Sequence, residues 1–277
     1  MAKHHRLKIN ALRLAIVAGI LLCWEYLPQI PWVKVNEPWS QPFFIRSPSL
    51  VAKEFYLLGI SGQYLETGAT YYVPVTLWNY YLRTFTETML GFIIGVFAGL
   101  LIGLMLSRSK LLGDALTPLL NTYNAMPKII IVPLIVLVLG AALLSMTVVA
   151  VITVFFTVFY NSFQGSKDLD PDIRIAYKIL GASKLDMFLN VELPNTVSWV
   201  LASLPNAIAA CFGIVLVAEI LSGAPGLGLV LSDATDLLES DVAFVVILLI
   251  GATGVGMIFG INYLTKKIFP WLPQFRG

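Results

Sequence analysis

Charge is what this sequence has least of. Lys, Arg, Asp and Glu make up 12% of its 277 residues, about half the share of a soluble domain. So little charge cannot cover a water-facing surface. Histidine and cysteine are scarcer still. Both histidines, His4 and His5, lie in a basic N-terminal tail, so none is placed to serve as a catalytic base or metal ligand elsewhere. The two cysteines, Cys23 and Cys211, fall inside apolar runs. Their separation supports neither a disulfide framework nor a metal site, and they read as small core residues. No G-x-x-x-x-G-K-[ST] phosphate loop occurs, so ATP is not handled by this chain. Neither G-x-S-x-G nor H-E-x-x-H is present, which argues against an intramembrane enzyme. The inverted repeats of many secondary transporters are not visible either, which leaves a secondary transporter or channel as the weaker alternative.

What the chain has is apolar length. Hydrophobic residues make up 58% of it and the mean hydropathy is +0.83. Runs of roughly 20 apolar residues recur, enough to cross a hydrocarbon core of about 30 Å. The fold class is therefore all-α and polytopic, with about six transmembrane helices at 11–30, 84–106, 115–140, 143–164, 195–221 and 242–264. The first run follows a basic segment, as a signal peptide does. It continues as "WEYLPQIPW" with no small-residue cleavage site, and so reads as an uncleaved span. If the N-terminus is cytoplasmic, segments 1–13, 107–114, 165–194 and 265–277 lie inside. They hold 13 of the 18 Lys and Arg residues. Positive charge favours the cytoplasmic side, which puts both termini there. Residues 1–83 form an N-terminal span with an outer segment, and 84–277 form a core with an inner loop at 165–194.

In the outer segment, Ser47 can cap a helix, Pro48 suits its first turn and Gly59 suits its end. A short amphipathic helix on the outer face is expected. In the second span, Gly91, Gly95, Gly99 and Gly103 are four apart. Such a stripe of small residues lets helices approach closely in lipid.

The inner stretch "DLDPDIRIAYKILGASKLDMFLNVELP", 168–194, is polar and charged between two apolar runs. Asp170 suits an N-cap and Pro171 a first helical position. Gly181 offers the left-handed conformation that ends a helix. Ser183 with Asp186 makes a capping box for a second short helix, which Pro194 closes. Ile173, Ala176, Tyr177 and Leu180 are spaced for one apolar face. A connection between spans needs only a few residues. This one is about 30 long and structured, which suggests a knob that docks on another protein.

The same stretch resembles the cytoplasmic "EAA" loop of permease subunits in bacterial binding-protein-dependent ABC importers. That pattern runs E-A-A, three residues, Gly, nine residues, Ile, one residue, Leu-Pro. Here it reads Ile175-Ala176-Tyr177, Gly181, Val191 and Leu193-Pro194. The Glu is replaced by Ile175 and the second Ala by Tyr177. "RSPSLVAKEFYLL", "GFIIGVFAGLLIGLMLSRSKLL", "VAEI" at 217–220 and "GAPGLGLVLSDA" are similar to segments of the nitrate/sulfonate/taurine branch. The resemblance implies a type I importer permease fold in the bacterial inner membrane. It implies a pathway formed by two permease copies, as a homodimer. It implies two cytoplasmic ATPase subunits that hold ATP and Mg, an extracytoplasmic binding protein, and no nucleic acid. The coupling residues it implies are Ile173, Ala176, Tyr177, Leu180, Gly181, Ala182, Ser183, Leu193 and Pro194. The cargo would be a small anionic or polar organic solute. Glu87 stands in a Thr-x-x-Glu pattern, at a position where the branch this chain resembles often has Arg. That departure suggests the alternative of a vitamin precursor or aromatic compound.

Charges at membrane depth want a partner or water. Glu87 and Lys128 are expected to pair or to face one aqueous cavity, the alternative being that each finds its own water. Glu219, before the Gly-rich loop, either lines the pathway or anchors that loop by accepting backbone N–H bonds, and the second is favoured. Glu25 sits near the outer end of the first span and can reach the interface. Pro127, Pro133 and Pro205 interrupt backbone hydrogen bonding, which at membrane depth is tolerated against protein or a cavity. That makes the third and fifth spans pathway candidates, with Asn124 and Asn206 as polar lining.

Overall fold

A computed structural model describes residues 2–30, 46–61, 76–169 and 171–269. Among them every regular element is helical. The chain divides into two compact units, Met1–Asn79 with Val230–Ile250, and Tyr80–Leu229 with Gly251–Gly277.

The first unit begins with α1 (Ala2–Tyr26), which contains most of the expected first span. Its large apolar side chains from Leu12 to Leu22 are exposed, as a lipid-facing helix requires. Next comes α2 (Pro48–Phe55), the expected outer helix, with Pro48 in its first position. Gly59 does not end it. A π-turn, Tyr56–Ile60, carries the helix on through Gly59 to Ile60, and the Gly59 carbonyl accepts from Trp78 Nε1 at 2.6 Å. Glu25 is more than an interfacial charge. It accepts from the Ser49 backbone N–H at 3.1 Å and from Ser49 Oγ at 2.8 Å, placing a carboxylate at the positive end of α2. Arg46 pairs with Asp241 at 2.6 Å, and Trp24 lies 5.9 Å from Phe244 between ring centres. Burial, with the Asp241 and Glu239 carboxylates nearby, raises the Glu54 carboxyl above its ordinary range.

The second unit is built on α3 (Leu77–Ser107), α6 (Leu143–Lys167) and α9 (Leu193–Ser222). The glycine stripe lies where α3 crosses α6. A Cβ on Gly91 would overlap Ala150, one on Gly95 would stand 2.7 Å from Val154 Cβ, and one on Gly99 2.7 Å from the Phe155 carbonyl oxygen. At Gly103 the approach is to Ser162, whose hydroxyl donates to the Leu100 carbonyl at 2.9 Å. The stripe therefore serves packing, as its spacing suggested. Further along α6, Asn195 Nδ2 donates to the Gly165 carbonyl at 2.7 Å, tying α6 to the start of α9.

The third expected span, 115–140, is not one helix. It is divided into α4 (Lys110–Ala125), a 3-10 turn (Lys128–Ile130) and α5 (Ile131–Leu139). The break falls at Met126–Pro127, where both residues are extended. Proline lacks the N–H that would continue the ladder and disfavours helical geometry in the residue before it. Pro133, by contrast, occupies the third position of α5, where an N–H has no helical partner anyway. Pro205 lies inside an unbroken α9, so it removes a bond without ending the helix.

Pro194 does not close the polar segment that precedes it. A π-turn at Phe188–Glu192 leads into α9, and the helical run is continuous over Lys184–Ser222. The wider turn accommodates the missing proline N–H. Among the described residues four helical runs are long and apolar enough to cross a membrane, namely α3, α6, Lys184–Ser222 and the helix Ser240–Ile268; α1 and the divided third span are not among them.

Candidate functional site

The polar segment at 171–194 folds as an elbow. α7 (Pro171–Ile179) is followed by Gly181 at φ +75°, and the Ala182 N–H donates to the Tyr177 carbonyl at 3.0 Å. That bond, with a left-handed residue inside it, is a Schellman stop. Ser183 Oγ then accepts from the Asp186 N–H at 3.1 Å, while Asp186 Oδ2 accepts from the Ser183 N–H at 3.0 Å. This reciprocal pair starts α8 (Lys184–Met187), so the Gly181 turn and the Ser183–Asp186 box both form as the spacing indicated. Asp170, expected as the N-cap of α7, lies outside the described residues. The Arg108 guanidinium sits 3.9 Å from the Phe188 ring centre, where cation–π attraction braces the base of the elbow.

Its apolar side chains face outward. Ile173 is exposed, and Ile179 and Leu180 are 80% and 81% exposed. Ala176, Ser183 and Pro194 are exposed too, while Tyr177, Ala182 and Leu193 are half-buried. Ile175, Ile179, Leu185 and Leu189, also exposed, were missed by a search for one helical stripe. They lie off the 173–176–177–180 face, and only the absence of any covering element reveals them.

A second constellation lies where α3 meets the end of α9. Glu219 is fully buried. One carboxyl oxygen accepts from Thr84 Oγ1 at 2.6 Å and the other from the Gly228 N–H at 2.7 Å. Thr84 Oγ1 in turn accepts from the Leu227 N–H at 2.8 Å. A Cβ at Gly226 would collide with the Glu219 carboxylate, and one at Gly228 with the Leu216 carbonyl oxygen. The glycines let the backbone close over the acid, and Glu219 anchors the loop.

The expected Glu87–Lys128 pair is not formed. Glu87, fully buried, accepts from Arg83 Nε at 3.2 Å, and its carboxyl lies against that of Glu219. Arg83 is one turn away on the same helix, so pairing with it orders less chain than reaching across to another helix. Lys128 stands at the break before α5 and donates to Thr157 Oγ1 at 3.4 Å. It borders a hollow of about 360 Å³ lined by Met126, Ile129, Thr153, Ala210, Ile214 and Val217, among others. Asn206 is exposed on α9 and is not part of that lining. The side chain of Asn124 lies outside the described residues.

Residues 91–270 match the family of binding-protein-dependent transport system inner membrane components. The chain is 24% identical over 261 residues to the taurine transport system permease protein TauC of Escherichia coli (strain K12), covering 94% of this chain and 89% of that one. It is 26% identical to a probable ABC transporter permease protein of Haemophilus influenzae, covering 96% and 99%. The nitrate import permease protein NrtB of Synechocystis sp. is 26% identical, over 81% of this chain and 80% of that one. Among solved structures, an amino acid ABC transporter with histidines matches with a TM-score of 0.55 at 18% identity, over 69% of this chain and 92% of that one. That likeness carries the fold. The chain belongs to the inner-membrane components of binding-protein-dependent transport systems, as a multi-pass ABC importer permease of the branch that holds the taurine, nitrate and sulfonate permeases.

Proposed function

We propose that this permease forms half of a pathway for a small polar or anionic organic solute, and that the elbow at 171–194 docks it onto a cytoplasmic ATPase subunit. Two copies would enclose the pathway, two ATPases would hold ATP and Mg, and an extracytoplasmic binding protein would deliver the cargo. The observation that carries the reading is the outward apolar face of a braced elbow, with Ile179 and Leu180 four-fifths exposed. Lone exposed apolar residues are ordinary, but a cluster of them on a polar element marks a protein contact.

The lever has a physical basis. α8 runs into α9 without a break, so a displacement at Lys184–Met187 is transmitted to a helix of the bundle rather than absorbed by a loop. Such a push moves the permease only if its two conformations differ in their contacts with the ATPase. A vitamin precursor or aromatic compound is the second reading for the cargo, favoured by the mainly apolar walls beside Lys128.

Gly181 supplies the test. A Cβ there would meet nothing within 4 Å, so a substitution acts through φ alone. Valine is strained at φ +75°, whereas asparagine tolerates it. Gly181→Val should lower binding-protein-stimulated ATP hydrolysis and uptake by about tenfold, roughly 1.4 kcal/mol of coupling, while Gly181→Asn stays near the parent. Full stimulation in a correctly inserted Gly181→Val permease would refute the coupling role.

A further inference from the structure

The hollow beside Lys128 has a composition that the family assignment does not explain. Its volume of about 360 Å³ falls in the range of small-molecule sites. Most of its walls are apolar, from Met126, Ile129, Ala210, Ile214 and Val217, and Lys128 is the charged residue among them. Among the described residues no carboxylate lies within ion-pair distance of that amine; its contact is the Thr157 hydroxyl at 3.4 Å. An adjoining narrow recess shares Lys128 and Thr153 and is also lined by Tyr123. The Tyr123 hydroxyl is buried and, among the described residues, has no hydrogen-bond partner. Its ring is fixed by stacking on Phe156, with centres 3.7 Å apart. A cation with no carboxylate beside it thus stands in the wall of an apolar hollow, and a phenol lies in the recess next to it. A buried hydroxyl left unpaired calls for a partner from outside the chain, and the half-buried ammonium is open to one.

We propose that this hollow is a cargo subsite for an organic monoanion, a carboxylate or sulfonate, with its head on the Lys128 ammonium and its apolar body on Ile129, Ile214 and Val217. One ammonium balances one negative charge, which disfavours a dianion. A small inorganic anion has no apolar body for these walls to cover, which disfavours nitrate-like cargo at this point. The break at Met126–Pro127 places the amine: it ends α4 and starts a 3-10 turn at Lys128. The assignment rests on the permease reading, because a pathway has to admit its cargo.

The test reads the hollow without transport. Ala210 is exposed on α9 and lines the hollow. Ala210→Cys is introduced into full-length Cys23→Ser permease, whose remaining Cys211 is buried, and held in neutral phosphatidylcholine nanodiscs. Its labelling rates with anionic sulfonatoethyl and cationic trimethylammonioethyl methanethiosulfonate are each normalised to a free thiol. The anionic reagent should be favoured about tenfold, and Lys128→Gln should bring the ratio close to one. Benzoate should slow labelling in the Lys128 protein alone, while nitrate and neutral benzyl alcohol at the same concentration should not. The subsite is refuted if the ratio ignores Lys128, if neither reagent reaches the introduced thiol, or if nitrate or benzyl alcohol protects as well as benzoate. Protection by added phosphatidylglycerol but not by benzoate would assign the hollow to lipid and refute it equally. A failed coupling test at Gly181 would leave these labelling results unchanged, so the two readings fail separately.

Discussion

Glu219, buried at the end of α9, carries a structural load. Its two oxygens take the Thr84 hydroxyl and the Gly228 N–H, and Thr84 passes the bond on to Leu227. Glu219→Leu keeps the volume and removes both acceptors. A buried donor left unpaired costs about 1–3 kcal/mol, so thermal unfolding of the purified permease should show a loss of that order. A stable Glu219→Leu protein with impaired uptake would instead favour a lining role. The anchoring role was legible because an acid preceded a loop holding Gly226 and Gly228, where backbone N–H groups can approach closely. The partner of Glu87 was not. Arg83 and Lys128 are both cations on neighbouring spans, and only the fold shows that the one a turn away takes the carboxylate.

Between helices, periodicity was a better guide than hydropathy. Glycines at 91, 95, 99 and 103 mark one face of α3, and in the structure that face meets α6 at separations no larger residue would tolerate. Gly95→Leu would drive a branched side chain into Val154 and the Phe155 backbone. Overpacking of this kind costs about 1–3 kcal/mol, and backbone cannot yield as a flexible side chain can. Gly95→Leu should lower the unfolding midpoint and weaken uptake in parallel; unchanged stability would mean that the α3–α6 contact is loose. Hydropathy misjudged 115–140, because a run of apolar residues reads the same whether or not the backbone is continuous. Pro127 was visible as a disturbance, but whether a proline bends a helix or ends it depends on what packs around it. The same ambiguity hid the π-turn before Pro194, where the helix continues past a residue that usually starts or stops one.

At the scale of the whole permease, one geometry links the parts: an exposed apolar elbow joined through an unbroken helical run, Lys184–Ser222, to a packed bundle of α3, α6 and α9. The turn and capping box of the elbow were written in Pro171, Gly181, Ser183 and Asp186. The extent of its uncovered surface was not, since exposure depends on what the rest of the chain fails to cover. The photo-crosslinker p-benzoylphenylalanine in place of Leu180, in the permease co-expressed with its ATPase and binding protein, reads that surface directly. An adduct with the ATPase subunit is expected, and none from the same probe in place of Leu137, which is equally exposed on α5. Adducts at position 180 with lipid or permease alone, in a complex that retains the ATPase, would contradict the docking of the elbow on that subunit.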